Sequence, residues 1–177
     1  NDFNCFPIPS GSKNADYRYK ASRTTLNQSI EENENFGYIA TNKNCTVDFD
    51  HEQYNEILDE LAEKYMVFKS AHGGRHLPII NLGTNATKTK LYDYKIRTDK
   101  EVIEIQGNEH YCVGAGSTYI EEKEDYFKCG KTFQKGDILY YENIGTDVIF
   151  NAHGKDFENF IEYVCNKFKV QGKKKTE

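Results

Sequence analysis

The sequence predicts an α+β fold in which one main helix packs on a curved antiparallel β-sheet. A stretch around residue 60 carries apolar side chains at helical spacing. From Leu77 onward the apolar pattern has a period near two, and turn residues separate the segments. A single helix cannot cover both faces of such a sheet. We therefore expect the other face to be closed by loops or to form an open concavity that a ligand can enter.

The predicted helix runs from about Asp50 to Phe68. Its apolar stripe comprises Tyr54, Ile57, Leu58, Leu61, Ala62 and Tyr65. Asp48 or Asp50 can cap the N-terminus, and Gly73 and Gly74 are predicted to end the segment. Acidic residues fill the opposite face, which we interpret as a solvated surface.

Strands are predicted for segments rich in Tyr, Ile, Val and Phe. The first, Phe3–Ile8, contains Pro7 and is therefore placed at a sheet edge or terminus. Asn143-Ile144-Gly145 is predicted to form a hairpin turn between two apolar runs. The remaining strands are predicted at His76–Leu82, Thr89–Ile96, Val102–Gln106, Tyr111–Val113, Asp137–Glu142, Asp147–Ala152 and Phe157–Cys165.

Composition and charge argue against two classes of protein. The formal net charge is -5, whereas a general nucleic-acid coat needs clustered Lys and Arg; a local basic groove stays compatible with this charge. No run of about 18–20 apolar residues occurs, so no membrane helix is predicted. Because the chain begins at Asn1 and contains sequons at Asn27, Asn44 and Asn85, we interpret it as the mature form of a secreted protein.

The chain contains five cysteines, namely Cys5, Cys45, Cys112, Cys129 and Cys165. No Cys-x-x-Cys pair or zinc-finger spacing occurs, so neither a structural metal site nor a cofactor is predicted. Disulfides in an oxidising compartment and buried free thiols are the two alternatives. A bridge between Cys112 and Cys129 would stabilise the fold by ~3 kcal/mol in the chain-entropy model. Since five is odd, at least one thiol stays unpaired.

The segment His72-Gly73-Gly74-Arg75-His76 places two imidazoles, a guanidinium and a glycine turn within five residues. Such a cluster is a candidate phosphate or metal site, and a flexible loop after a helix explains it equally well. Gly114-Ala115-Gly116-Ser117 lacks the Lys and the following helix of a phosphate-binding loop, so no nucleotide site is predicted there. His51 and His110 are interpreted as surface residues.

Three C-terminal stretches follow one another within about thirty residues, namely Gly136–Tyr141, Asn151–Gly154 and Asn159–Cys165. Together they resemble the end of the small fungal guanyl-type ribonucleases. In that family a tight turn joins two strands, the second strand ends in a catalytic histidine, and a last strand ends in cysteine. The resemblance implies a ribonuclease-like fold with His153 at the position of the catalytic acid. Residues 44–90 have no clear counterpart, so they form an insertion or contain the family helix.

RNA cleavage of this type needs a base, a histidine acid and a cation beside the phosphorane. Apolar residues stand where the family has its arginine, and Arg97 belongs to a different segment. Glu104 and Glu109 are candidates for the base outside the family's aromatic context, whereas Tyr92-Asp93-Tyr94 has that context but a shorter carboxylate. A missing cation would cost ~3–4 kcal/mol, or two to three decades in rate. We therefore expect a non-enzyme in which His153, Glu104 and Glu109 are vestigial.

Near the N-terminus, Phe3-Asn4-Cys5 resembles the Y/F/W-x-C motif of secreted powdery-mildew effector candidates, many of which are predicted to have a ribonuclease-like fold. Their motif cysteine typically pairs with one near the C-terminus, which implies a bridge between Cys5 and Cys165. If residues 44–90 contain the family helix, Cys45 takes the place of Cys5.

The resemblance implies a secreted fungal effector that acts in the host-cell cytoplasm. We expect a monomer with a single domain over residues 1–170 and a disordered basic tail over residues 171–177. Its expected partners are host RNA, a host protein or a plant immune receptor, with no membrane involved. Two alternatives remain: an active endoribonuclease with His153 as acid and Glu104 or Glu109 as base, and an unrelated secreted binding or inhibitory domain.

Overall fold

The structure, a computed structural model, describes residues 3–13, 35–40, 43–82, 95–97, 102–107, 110–153, 155–169 and 172–173. Within these residues the chain has a mixed architecture of two α-helices and mostly antiparallel strands, which confirms the α+β class. A second helix is present in addition to the one expected. No helix in the described part is both long and apolar enough to span a membrane.

The strands are β1 (Phe3–Ile8), β2 (Asn35–Ala40), β3 (Cys45–Phe49), β4 (Phe68–Lys69), β5 (Arg75–Ile80), β6 (Lys95–Arg97), β7 (Val102–Gln106), β8 (Tyr111–Val113), β9 (Thr118–Ile120), β10 (Tyr126–Lys128), β11 (Lys131–Phe133), β12 (Ile138–Tyr140), β13 (Glu142–Asn143), β14 (Phe150–Asn151) and β15 (Gly172–Lys173). The helices are α1 (Asn55–Ala62), which follows a 3-10 turn at Glu52–Tyr54, and α2 (Asp156–Phe168).

The largest sheet has eight strands in the order β13-β4-β5-β3-β7-β6-β15, and β14 pairs with β5 in parallel. Strand β3 is antiparallel to both neighbours: Val47 lies opposite Leu77 of β5, and Asp48 lies opposite both His76 of β5 and Glu104 of β7. Successive side chains of a strand point to opposite faces. This register therefore places Val47 and Leu77 on one face, and Asp48, His76 and Glu104 on the other.

Both helices pack on the first face, where the main hydrophobic core lies. Its buried members are Cys45, Val47, Phe49, Tyr54, Ile57, Leu58, Ala62, Val67, Leu77, Ile79, Leu82, Ile103, Ile105, Ala152, Phe157 and Val164. Full burial of one such large apolar side chain contributes about 1.5–3 kcal/mol. The stripe predicted for the first helix thus faces the core through Ile57, Leu58 and Ala62.

The second face lies near a small sheet of order β1-β2-β8, which has a separate core. Thr46 Oγ1 of the large sheet donates a hydrogen bond to Tyr38 Oη of the small sheet at 3.3 Å. The two strands β1 and β2 approach closely at Gly37, where an added Cβ would lie 2.3 Å from the Phe6 ring. The predicted strand Phe3–Ile8 is confirmed, and it lies at the edge of this sheet.

The prediction for Phe157–Cys165 is wrong, because these residues belong to helix α2 instead of a strand. Phe157, Phe160, Ile161, Val164 and Cys165 recur at helical spacing, and all five pack in or against the main core. The same segment was matched to the last strand of the fungal ribonucleases. At this point the structure differs from the pattern that the resemblance implied.

Two other predicted elements also differ. The first helix is shorter than predicted, since Asn55–Ala62 replaces the span from Asp50 to Phe68. The hairpin predicted at Asn143-Ile144-Gly145 is absent, because β13 pairs with β4 and β14 pairs with β5. Within the tail predicted to be disordered, Gly172–Lys173 form β15, which pairs with β6, and residues 171 and 174–177 lie outside the described residues. Of the strand predicted at Thr89–Ile96, residues 89–94 lie outside the described residues.

Candidate functional site

A cleft of about 240 Å³ opens on the second face of the large sheet and is lined by both sheets. Asp48, His76 and Gln106 line it from the large sheet, and Tyr111 and Cys112 line it from β8 of the small sheet. The alternation of side chains along β3, β5 and β7 explains why these polar groups share one face. The sequence left this face either closed by loops or open as a concavity, whereas the structure has the small sheet beside it and the cleft between the two sheets.

His76 and Asp48 form the first of two histidine–carboxylate pairs in this region. The strand register sets them opposite each other, and His76 Nε2 lies 3.2 Å from Asp48 Oδ1. The His76 side chain is buried, and within the described residues its Nδ1 has no hydrogen-bond partner. An unpaired buried polar group costs about 1–3 kcal/mol, so native proteins retain few of them, often where function requires it.

His72 and Glu121 form the second pair, with His72 Nε2 2.5 Å from Glu121 Oε2. His72 lies in the tight turn between β4 and β5, where Ser70 N–H donates to the Gly74 carbonyl at 3.0 Å. The imidazole is surrounded by the rings of Tyr119, Tyr126 and Phe133, whose centroids lie 5.0–5.4 Å from its own.

Burial and hydrogen bonding shift the pKa values of both members of this second pair. Burial lowers the pKa of His72 below its ordinary value, and Glu121, which acts in the opposite direction, does not fully compensate. Burial by itself would raise the pKa of Glu121. Hydrogen bonds from His72 and from the backbone N–H groups of Lys123 and Glu122 outweigh that effect and hold the Glu121 pKa below its ordinary value. The pair therefore favours neutral imidazole beside carboxylate.

Two lysines supply positive charge to the cleft. Lys128 Nζ lies 2.8 Å from Asp50 Oδ2, and Lys13 Nζ lies 4.9 Å from the centroid of the Tyr119 ring. Burial lowers the pKa of Lys13, and the charge of Lys128 lowers it further. Burial works in the same direction on Lys128, but its bond to Asp50 outweighs this and raises its pKa. A bound anion would reduce the repulsion between the two ammonium groups.

The cleft thus combines two cations and two oriented imidazoles with the carboxylates of Asp48 and Asp50, which also line it. Cations stabilise an anionic ligand, and an imidazole held by a carboxylate can accept or donate a proton. Cys112 also lines the cleft, but burial raises its pKa well above the ordinary value, so it is a thiol rather than a nucleophilic thiolate. The arrangement is suited to acid–base chemistry on an anion.

The sequence-predicted catalytic candidates lie elsewhere. His153 is exposed after β14, and its carbonyl accepts a hydrogen bond from Asp156 N–H at 3.1 Å. Glu104 lies opposite Asp48 and accepts from Gln106 Nε2 at 3.1 Å, and neither it nor His153 lines the cleft. The strand pairing shows how far the region of His153 lies from His76. Asn151, two residues before His153, pairs with Ile80, and Ile80 is four residues from His76, or about 13 Å along β5. Glu109 lies outside the described residues.

The cluster His72–His76 is the sequence feature that reaches the cleft, through its two histidines. Arg75 has a different role: its Nε donates to Asp59 Oδ1 of α1 at 2.8 Å, and its Nη1 donates to the Gly73 carbonyl at 2.7 Å. Within the described residues, no group of three or more His, Cys, Asp or Glu side chains is placed to hold a metal ion.

Sequence reasoning missed Lys13, Asp48, Glu121 and Lys128 as site residues. Asp48 was considered only as a helix cap, although Thr46 and Asp48 alternate with apolar residues along β3. That alternation indicates a strand with one polar face. The other three residues come from separate segments, and no local pattern signals that they converge.

The predicted disulfides Cys5–Cys165 and Cys112–Cys129 are absent, because all five cysteines are free thiols in the structure. Cys5 lies on β1 of the small sheet, whereas Cys165 packs against the core on the helix-covered face of the large sheet. Cys112 is buried on β8, whereas Cys129 lies in the turn between β10 and β11. The members of each predicted pair therefore lie on different elements of the fold.

One feature used to predict secretion is enclosed by the fold. Asn44, the first residue of a sequon, is buried, and its Oδ1 accepts a hydrogen bond from Asn81 N–H at 3.3 Å. The sequons at Asn27 and Asn85 lie outside the described residues.

No protein-family model matches the sequence, and no curated protein matches it. The geometry of the cleft is therefore the basis for a functional proposal.

Proposed function

We propose that the cleft binds a phosphodiester of RNA and that His76, oriented by Asp48, transfers a proton during cleavage. One observation carries the proposal: His76 lines the same cleft as Lys13 and Lys128. The expectation of a non-enzyme rested on a missing cation beside His153. In the cleft, two lysines supply the positive charge and His72 and His76 supply the imidazoles. This supports an active site at another position on the sheet.

The proposed reaction moves two protons. The 2′-hydroxyl loses one as its oxygen bonds to phosphorus, and the bond from phosphorus to O5′ breaks as O5′ gains one. His76 is the proposed acceptor because Asp48 holds its Nε2 and leaves Nδ1 unpaired within the described residues. Because Nδ1 is buried, the side chains around His76 must move when the substrate binds, so that the 2′-hydroxyl can reach this nitrogen.

His72 is the proposed proton donor, and the two lysines balance the phosphorane charge. Because burial lowers the pKa of His72, its protonated form becomes populated only below the ordinary histidine value of about 6.5. Cleavage should therefore be faster in mildly acidic solution than at pH 8.

Cleavage of a fluorescent RNA by wild type, His76→Ala and His153→Ala tests this assignment. Loss of an acid–base group typically costs about 10²–10⁴-fold, so His76→Ala should lose at least about 100-fold. His153→Ala should cleave like wild type, because His153 is exposed outside the cleft. A selective loss in His153→Ala would instead support the site derived from the ribonuclease resemblance, and an inactive wild type would contradict catalysis.

A second candidate is a non-catalytic RNA-binding effector with a ribonuclease-like fold. Its support is that Lys128 and His72 already have carboxylate partners and that three aromatic rings surround His72. RNA binding by wild type without cleavage, lost in the double variant Lys13→Ala/Lys128→Ala, would favour this candidate. Secretion, action in the host cytoplasm and recognition by an immune receptor remain predictions from the resemblance.

A further inference from the structure

A second cavity of about 190 Å³ adjoins the cleft. Ala71 and His72 line both spaces, so the turn between β4 and β5 forms their common wall. The far side of the second cavity is built from β11 and β12 through Phe133, Ile138 and Tyr140. The two spaces therefore lie on either side of this turn, and a ligand that occupies both must cross it at His72.

The sizes of the two cavities favour one ligand over two independent small ones. A site for a small molecule typically has about 300–1,000 Å³. Each cavity alone is below that range, at about 240 Å³ and about 190 Å³, whereas the two together fall within it.

The second cavity has the chemistry of a stacking surface next to positive charge. Ile138 and Tyr140 are two residues apart in β12, so their side chains point to the same face of the strand. They are 59% and 55% exposed, although large apolar side chains are usually covered. Lys69 and Lys131 line the same space, and Glu142 supplies one opposing charge. An exposed ring beside two ammonium groups fits a ligand that is both aromatic and anionic.

We propose that the two cavities are adjacent subsites for an RNA strand, with His72 between them. One phosphate lies near Lys13 and Lys128 in the cleft. The next nucleotide lies past His72, with its base stacked on Tyr140 and its phosphate near Lys69 and Lys131. This inference rests on the proposed function, because it assumes that the cleft holds a phosphodiester.

The test compares two uncleavable probes, uridine 3′-monophosphate and a fluorescent 2′-O-methyl uridine tetranucleotide. The 2′-O-methyl group removes the attacking hydroxyl, so binding is measured without cleavage. Wild type should bind the tetranucleotide at least about 10-fold more tightly, and Tyr140→Ala should remove most of that gain while leaving the mononucleotide unchanged. Tyr163→Ala is the matched control, since Tyr163 is also 55% exposed but lies on α2.

Equal affinity for the two probes, or equal losses in both tyrosine variants, would overturn the second subsite. The cleft is tested separately by Lys13→Ala/Lys128→Ala: loss of mononucleotide binding there supports the proposed function even if the second subsite fails. If the wild type binds neither probe, the proposed function fails too. A tetraglutamate peptide that competes as well as the tetranucleotide would show that the site recognises charge alone, which contradicts an RNA subsite.

Discussion

The two faces of the eight-stranded sheet carry different kinds of residue on the same strands. On the helix-covered face, Val47, Phe49 and Leu77 are fully buried in an apolar core. On the cleft face, the residues beside them, Asp48 and His76, are held by a polar contact. Alternation along a strand thus allows apolar packing and ionisable groups to be neighbours in sequence without sharing an environment. Substitutions on the first face should cost the most stability, whereas those on the second should cost less stability and should change the chemistry of the cleft.

The largest expected effect on stability is from Phe49→Ala on the helix-covered face. Phe49 is fully buried and packs edge-on against Phe160 of α2, with ring centroids 6.3 Å apart. Truncation should lower the free energy of unfolding by about 3–5 kcal/mol, through lost burial and a cavity. Urea unfolding measures this change.

The matched control for this variant is Phe127→Ala, because Phe127 is 67% exposed on β10. It should change stability by no more than about 0.5 kcal/mol. Equal losses in the two variants would contradict the placement of the core on the helix-covered face.

An intermediate effect is expected from Thr46→Val, which keeps the shape of a buried residue on the cleft face. The change removes the hydrogen bond from Thr46 Oγ1 to Tyr38 Oη, which joins the two sheets. The expected loss is about 0.5–1.5 kcal/mol in urea unfolding. Thr132→Val, at an exposed position of β11, is the control and should be close to neutral. A stabilised Thr46→Val variant would show that this face tolerates an apolar residue.

The smallest expected effect is a change in the pH dependence of stability in His72→Gln. The pKa of His72 is lowered in the folded state, so between that value and about 6.5 the unfolded chain binds more protons. This contribution to stability is present above about pH 6.5 and is lost as pH falls through the folded pKa. The glutamine can still donate to Glu121 but does not titrate.

Thermal unfolding of both proteins from pH 7.5 to pH 5 measures that difference. Wild type should lose more stability than the variant over this range. Parallel curves would mean that the folded protein does not depress the His72 pKa.

The fold was predictable where the pattern is local and unambiguous. Val102–Gln106 and Tyr111–Val113 are strands with the predicted bounds, since branched or aromatic residues occupy most positions of each. The error at Phe157–Cys165 was avoidable, because apolar residues there recur every three or four positions, which is a helical period. The position of Asn143–Gly145 was not predictable, since the partner of β13 is β4, more than seventy residues earlier.

The candidate site was predictable only in part. His72 and His76 were recognised as a cluster because they are close in sequence. Their carboxylate partners, Glu121 and Asp48, are distant in sequence, and the fold brings each one next to its histidine. No local sequence pattern specifies these long-range contacts. His153 was favoured through a resemblance, and its position after β14 keeps it out of the cleft.

The pairing of β5 also limits the order in which the chain can fold. One edge of β5 is covered by β4 along its first residues and by β14 along its last, and β6 is covered by β15. The covering strands β14 and β15 come from the last thirty residues of the chain. A nascent chain that lacks them exposes the edges of β5 and β6, which invites pairing with other chains. Synthesis of β14 and β15, rather than synthesis of the central strands, should therefore be the step at which this sheet becomes protected from aggregation.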